Sequence, residues 1–378
     1  MDYAAATPMR REVFAAMQPY WFEKYANTGA MHTEGLTVAE DMKKFRSRVR
    51  EIIGARDEKE IIFTSGGTES NSLAIKGFID KWTEQHPGKS FDIITSEIEH
   101  PSVSAVFSYA KKRGAQVHTI ATTKDGVIDL DHFSVTINEV KNPILVSVMM
   151  VNNEIGTLQP IKKIASIIKN SERDVVLHCD ASQAPLYTSI NVQSLGVDML
   201  TLCGQKMYGP KASGVLYIRS GINIQQQMLG GKQEFGMRGG TTPMPLVAGF
   251  TKSLELADSG RDQYAQEMKA LQDYFLDVVL KLPGIVLNGK RELVMPVAIN
   301  LSFEETKLDS ERLVAYFDVH GVAVSSKSAC IGSDQKTSTV IDAMGFDRKN
   351  SIRFSLGKDT RKKDIDTVIE LVKKLPRE

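Results

Sequence analysis

Cysteine is scarce in this chain. Only Cys179, Cys203 and Cys330 occur among 378 residues, too few and too scattered for a disulfide framework. The seven histidines do not pair with them at zinc-binding spacing. Both facts suit a reducing compartment and offer no metal site. An excess of one charge is missing as well: 47 Lys and Arg against 46 Asp and Glu leave a formal charge of +1. No global field therefore recruits nucleic acid or an anionic membrane. No apolar run is long enough to cross a bilayer, and the stretch from Met1 to Pro8 reaches Arg10 and Arg11 without the apolar core of a secretory signal. The expectation is a cytoplasmic protein that touches neither membrane nor nucleic acid. Internal repeats and low-complexity segments are absent too.

What is present is an ordinary globular composition, 42% hydrophobic and 25% charged, in a length that usually needs two cores. From about residue 60 to 220, short apolar runs alternate with helical patterns. Ile61 to Phe63, Asp92 to Thr95, Ile144 to Val148, Val175 to Leu177 and Met199 to Leu202 read as buried strands. The clearest helix sets Ala74, Phe78, Ile79 and Trp82 on one face after Thr68-Glu69-Ser70. This alternation predicts an α/β fold, a mostly parallel sheet covered on both faces, with ligands beyond the carboxyl ends of the strands. Near residue 250 the pattern changes. A long helix is expected from Leu246 to Leu282, then strands at Pro296 to Phe303, Val322 to Ser325 and Ser351 to Leu356. An amphipathic helix with Ile365, Val368, Ile369 and Val372 closes what reads as a smaller α/β domain.

Five clusters could carry chemistry. Thr64-Ser65-Gly66-Gly67-Thr68-Glu69-Ser70 lies between a strand and a helix, where glycines and the helix N-terminus suit an anion; taken alone it also reads as a capped helix start. In His178-Cys179-Asp180, alternation puts His178 and Asp180 on one face. Asp180, at the expected strand end, suits either a helix cap or a carboxylate that keeps a pyridinium nitrogen protonated. Lys206 follows the next strand in Cys203-Gly204-Gln205-Lys206. Most lysines are solvated surface, but an acid closing one strand and an amine after the next are the two groups a pyridoxal ring needs at opposite ends. Cys330 sits among serines and glycine, expected on a mobile, exposed loop, where Lys327 favours the thiolate; a small buried hydrophobe is the alternative. Arg353, between Ser351 and Ser355 and opposite in face to Ile352 and Phe354, can grip a carboxylate with two parallel hydrogen bonds or form a surface ion pair.

With these residues in hand, the chain resembles the cysteine desulfurases, in the class V aminotransferase group of fold-type-I pyridoxal-phosphate enzymes. The likeness runs essentially end to end and rests on Phe63 to Asn71, Glu99-His100, Val151 to Gly156, Asp180 to Gln183, Met237 to Thr241, Ser328-Ala329-Cys330 and Ser351 to Gly357, as well as the opening Asp2 to Pro8. It implies a large cofactor-binding domain with a seven-stranded sheet over residues 13–250. Residues 1–12 and 251–378 would form the small domain that carries the cysteine loop. It further implies that Lys206 holds pyridoxal 5'-phosphate covalently and shuttles protons, His100 stacks on the ring, Asp180 pairs with its nitrogen and Gln183 binds its phenolic oxygen. Gly67, Thr68, Cys203 and Gln205 would cradle the phosphate, and Thr241 would reach the phosphate of a partner subunit, hence a homodimer. Asn153 and Arg353 would hold the substrate carboxylate. Cys330 would take sulfur from L-cysteine as a persulfide, release alanine and pass the sulfur to an iron–sulfur scaffold or a sulfur carrier. The family's usual Ser-Gly-His-Lys stands here as Cys203-Gly204-Gln205-Lys206, exchanging a hydroxyl for a poor donor and an imidazole for an amide. An aminotransferase or a selenocysteine lyase would share the cofactor, and a non-catalytic scaffold would share the fold. A transaminase needs no nucleophilic thiol, so Cys330 separates it from the first reading.

Overall fold

A computed structural model describes residues 1–326 and 338–376. Cys330 and its neighbours Lys327, Ser328 and Ala329 lie outside the described residues. Strands β1 (Ile61–Thr64), β2 (Phe91–Ser96), β3 (Ala115–Ile120), β4 (Pro143–Met149), β5 (Val176–Asp180), β6 (Met199–Cys203) and β7 (Gly214–Ile218) form one sheet in the order β1-β7-β6-β5-β4-β2-β3. The pairs β2–β3, β2–β4, β4–β5 and β5–β6 are parallel, whereas β7 runs antiparallel to both β1 and β6. Two reversals cancel, so β1 points the same way as β6.

Strand alternation sorts the side chains into two layers. Ile61, Phe63, Ile94, Val146, Leu200, Val215 and Tyr217 join a core covered by the helices Thr33–Ile53 and Met244–Val279. Ile62, Ile93, Leu145, Met199, Leu216 and Ile218 face the opposite core, beneath the helices Gly67–Gln85 and Pro101–Lys112. Burial on both faces explains why these strands read as continuous apolar runs. The edge strand β3 escaped that reading because Gln116 and Thr119 are exposed.

A second, antiparallel sheet has the order β10-β9-β8, from β8 (Ile285–Leu287), β9 (Ile299–Phe303) and β10 (Ser351–Phe354). The strand expected at Val322 to Ser325 is reduced to an isolated bridge from Ser325 to Arg353. The Met244–Val279 helix joins the two parts: Phe250 packs edge-on to Phe63, and Phe275 edge-on to Phe354. Asp2 adds a parallel bridge to Ser355, bringing the chain's start against β10. Among the described residues no helix is long and apolar enough to cross a membrane.

One buried ion pair pins the segment before Met244. Arg46 donates to both carboxylate oxygens of Glu234 at 2.8 and 2.9 Å, and Glu234 also accepts the Phe63 N–H at 2.9 Å. Glu234 and Phe235 have φ of 46° and 57°, a left-handed conformation that side chains adopt only when the surroundings impose it. Breaking a pair buried this deeply leaves an uncompensated charge. Glu234→Gln should therefore cost about 3 kcal/mol, read as a lower denaturant midpoint; an unchanged midpoint would remove the pair from the fold's essential contacts.

Candidate active site

The carboxyl ends of β1, β2, β4, β5 and β6 converge on one rim, and a cavity of about 240 Å³ opens there. Its lining includes Gly67 and Thr68 after β1, His100 after β2, Asn153 after β4, Asp180 at the end of β5, and Cys203, Gln205 and Lys206 at and after β6. Gln183 and Arg353 complete the set. Of the residues the sequence singled out, Thr241 is exposed and does not line this cavity. Cys330 falls outside the described residues.

Asp180 is fixed from two sides. Its Oδ2 accepts from Asn71 Nδ2 at 2.7 Å and its Oδ1 from the Ser182 N–H at 2.9 Å. Asn71 also donates to Ser102 Oγ at 2.9 Å, and that hydroxyl lies 2.8 Å from His100 Nδ1. The Ser102 N–H donates to the same nitrogen at 3.1 Å, so Nδ1 is an acceptor and the neutral ring carries its proton on Nε2. Burial pushes the His100 pKa down, against the pull of Asp180 and with the help of Lys206. Beneath this layer His178 spans Ser147 Oγ at 2.9 Å and Thr201 Oγ1 at 3.1 Å. Burial holds its pKa down to about 4, so it is a neutral structural bridge.

Lys206 ends a 3₁₀ turn, Gly204–Lys206, and donates to the carbonyls of Ala4 and Ala5 at 2.6 and 2.8 Å. Gln183 Nε2 donates to the same Ala4 carbonyl at 3.0 Å. The turn exits through Tyr208 at φ 62°. Its N–H donates to Thr7 Oγ1 at 2.8 Å, and its phenol lies 3.1 Å from the Tyr264 hydroxyl. A left-handed tyrosine two residues after a cavity lysine is the kind of imposed conformation that marks functional turns.

On the far side, Gly66 adopts φ 140° and leads into the Gly67–Gln85 helix. A Cβ on Gly67 would stand 3.0 Å from Ser182 Oγ and 3.5 Å from Cys203 Cβ, so the backbone here approaches its neighbours closely and a side chain would press on Ser182. Burial pushes the Cys203 thiol up, with the Gly67 backbone partly opposing it. Arg353 is buried, donating from Nη1 to the Asn153 carbonyl at 2.9 Å and from Nη2 to Asp2 Oδ1 at 2.8 Å. Its Nε is buried without a partner among the described residues. The Asp2 contact is buried on the arginine side, unlike a surface ion pair.

Sequence reasoning missed Asn71, Ser102 and Asp2 as supports. Asn71 had a signal: it follows Thr68 by almost one helical turn and so shares its face. Glu99 was visible only as a neighbour of His100. Its carboxyl accepts the Met149 N–H at 3.0 Å and the Ser96 hydroxyl through one oxygen, and its other oxygen is buried without a partner among the described residues.

A family model described as aminotransferase class-V matches residues 1–368. The "Cysteine desulfurase IscS" of Dictyoglomus turgidum is 37% identical over 99% of this chain and 93% of its own length. Among solved structures, a "NifS-like protein" superposes with a TM-score of 0.90 at 29% identity, covering 98% of this chain and 97% of that one. "SspA in complex with cysteine" does so with a TM-score of 0.80 at 31% identity, covering 94% and 97%.

Burial raises the Glu99 pKa to about 8, with Asp180 adding to the rise. A carboxyl raised in the folded state contributes stability that is whole below its unfolded pKa and is lost as pH climbs towards the folded value. Wild-type stability should therefore fall relative to Glu99→Gln between about pH 4.5 and 8. Parallel pH profiles of the two proteins in denaturant titrations would show Glu99 to be ionised in the fold.

Proposed function

The chain belongs to the aminotransferase class-V family, and from that premise we propose that it is a cysteine desulfurase working with pyridoxal 5'-phosphate. The observation that carries the reading is that Asp180, at the end of β5, and Lys206, in the turn after its parallel neighbour β6, line one cavity walled by a helix N-terminus. The residues present suit this cofactor. The close backbone approach at Gly67, at the N-terminus of the Gly67–Gln85 helix, suits a phosphate, Asp180 is held by two donors and would pair with a cationic ring nitrogen, and Lys206 offers the amine that an aldehyde requires.

When bound, pyridoxal phosphate supplies an electron sink for carbon–sulfur cleavage. The chain's own residues would do the rest. Lys206 Nζ would hold the aldehyde carbon and then move protons. His100 would lie against the ring with its proton on Nε2, Gln183 would meet the phenolic oxygen, and Thr68, Cys203 and Gln205 would join Gly67 around the phosphate. Arg353 would bind the substrate carboxylate with Asn153; its Nε, without an acceptor among the described residues, supports this, since a buried guanidinium nitrogen so placed has a bond to give. The Cys330 thiolate would attack the sulfur of L-cysteine as the carbon–sulfur bond breaks. The products are L-alanine and a persulfide on Cys330, and atoms balance with no outside oxidant. The persulfide would pass to an iron–sulfur scaffold or a sulfur carrier.

A homodimer belongs to the same proposal. Thr241 is exposed, free to reach a neighbouring subunit's phosphate. Trp21, Phe22, Tyr25, Met31 and Leu36 stand exposed in one stretch of chain, and Leu229 is exposed elsewhere; such apolar surface fits association.

With cofactor added, the protein should show an absorbance at the edge of the visible that borohydride bleaches, and Lys206→Ala should lose the bleachable species. Cys330→Ser should keep the absorbance and stop releasing sulfide from cysteine in the presence of a reductant. Sulfide release at the wild-type rate by Cys330→Ser would overturn the thiol's role.

A further inference from the structure

The phosphate cradle contains a charge that works against it. Glu69 lies in the first turn of the Gly67–Gln85 helix and lines the cavity beside Gly66, Gly67 and Thr68. Burial pushes its pKa up, but hydrogen bonds from Arg238 and Ser65 outweigh that and hold the carboxyl below its usual range, so it is an anion. A carboxylate in that turn competes with any bound anion for the helix dipole and repels it. What offsets the charge is Arg238, whose Nε and Nη2 donate to the two Glu69 oxygens at 2.9 and 3.4 Å. Both side chains are largely buried, so solvent screens the pair poorly. Glu69 in turn accepts the Ser65 N–H at 2.7 Å and thereby shapes the turn that carries Gly66 and Gly67.

Arg238 also stands three residues before Thr241, in a segment anchored at Glu234 by Arg46. The ion pair is thus a strut between the anion cradle and the stretch proposed to reach a second subunit.

We propose that Arg238 is a positioning residue for the cofactor's phosphate: it neutralises Glu69, so that the carboxylate can order the Ser65–Gly67 turn without repelling the phosphate. The inference rests on the cofactor assignment made above, and it does not require Arg238 to touch the phosphate.

The test is a double-mutant cycle on cofactor affinity, read from the absorbance and fluorescence of the bound form rather than from turnover. Arg238→Met should weaken pyridoxal phosphate binding on the order of tenfold, the effect of one uncompensated charge a few ångström away. Glu69→Gln should bind at least as well as wild type. The double variant Glu69→Gln, Arg238→Met should return to within about threefold of wild type, because removing the repelling charge makes its neutraliser unnecessary. Pyridoxal, which lacks the phosphate, should bind all four proteins alike. A double variant as weak as Arg238→Met, or an equal loss of pyridoxal binding, would overturn the proposal and make Arg238 a direct ligand or a purely structural residue. Arg238→Met with wild-type affinity would overturn it too. If wild type itself captures no cofactor, it is the cofactor assignment that fails, which sets the two outcomes apart.

Discussion

The alignment of parallel strands with their carboxyl ends on one rim is the constraint from which the rest of the site follows. Asp180 closes β5, and Thr201 of β6 lies opposite it in register. Within a few residues β6 delivers Cys203 and Lys206 to the same edge. Acid and amine are therefore brought together by backbone pairing, before any side chain chooses a rotamer. The side chains refine what the sheet has placed: Asn71 ties Asp180 to the Ser102–His100 pair, and the carbonyls of Ala4 and Ala5 hold the lysine.

Several ionisable groups around the cavity are pushed towards neutrality, while the remaining charges there include the pairs Glu69–Arg238 and Asp2–Arg353. His178 is neutral between two hydroxyls, His100 is pushed towards neutrality, and Glu99 is pushed towards its protonated form. Each of these shifts has burial as its largest cause, which is the expected behaviour of ionisable groups withdrawn from water beside a carboxylate. Asp180 keeps the hydrogen-bond donors that a carboxylate uses, while its neighbours give up charge.

Much of this was legible in the chain because the relevant signals are local. Buried strands show as apolar runs, the acid falls at a strand end, and the long helix ends before Pro283-Gly284. What escaped is non-local or lacks contrast. Strand β3 alternates weakly at the sheet edge, and β7 returns antiparallel after a turn too short to hold a crossover helix. Val322 and Val324 are buried as a strand would be, yet among the described residues of that stretch only Ser325 forms a β-bridge. The Asp2–Arg353 and Glu69–Arg238 pairs link residues far apart in sequence, and no periodicity announces such partners.

The contact between the two ends of the chain bears on how the molecule is made. Asp2 pairs with Arg353, the Ala4 N–H donates to Ser355 Oγ, and the Ala4 carbonyl holds Lys206. A ribosome releases Lys206 and Asp180 long before it releases β10, so the part of the cavity wall that Arg353 supplies is made last. Synthesis of the last strands, rather than formation of the large sheet, sets the earliest moment at which the site can close around anything.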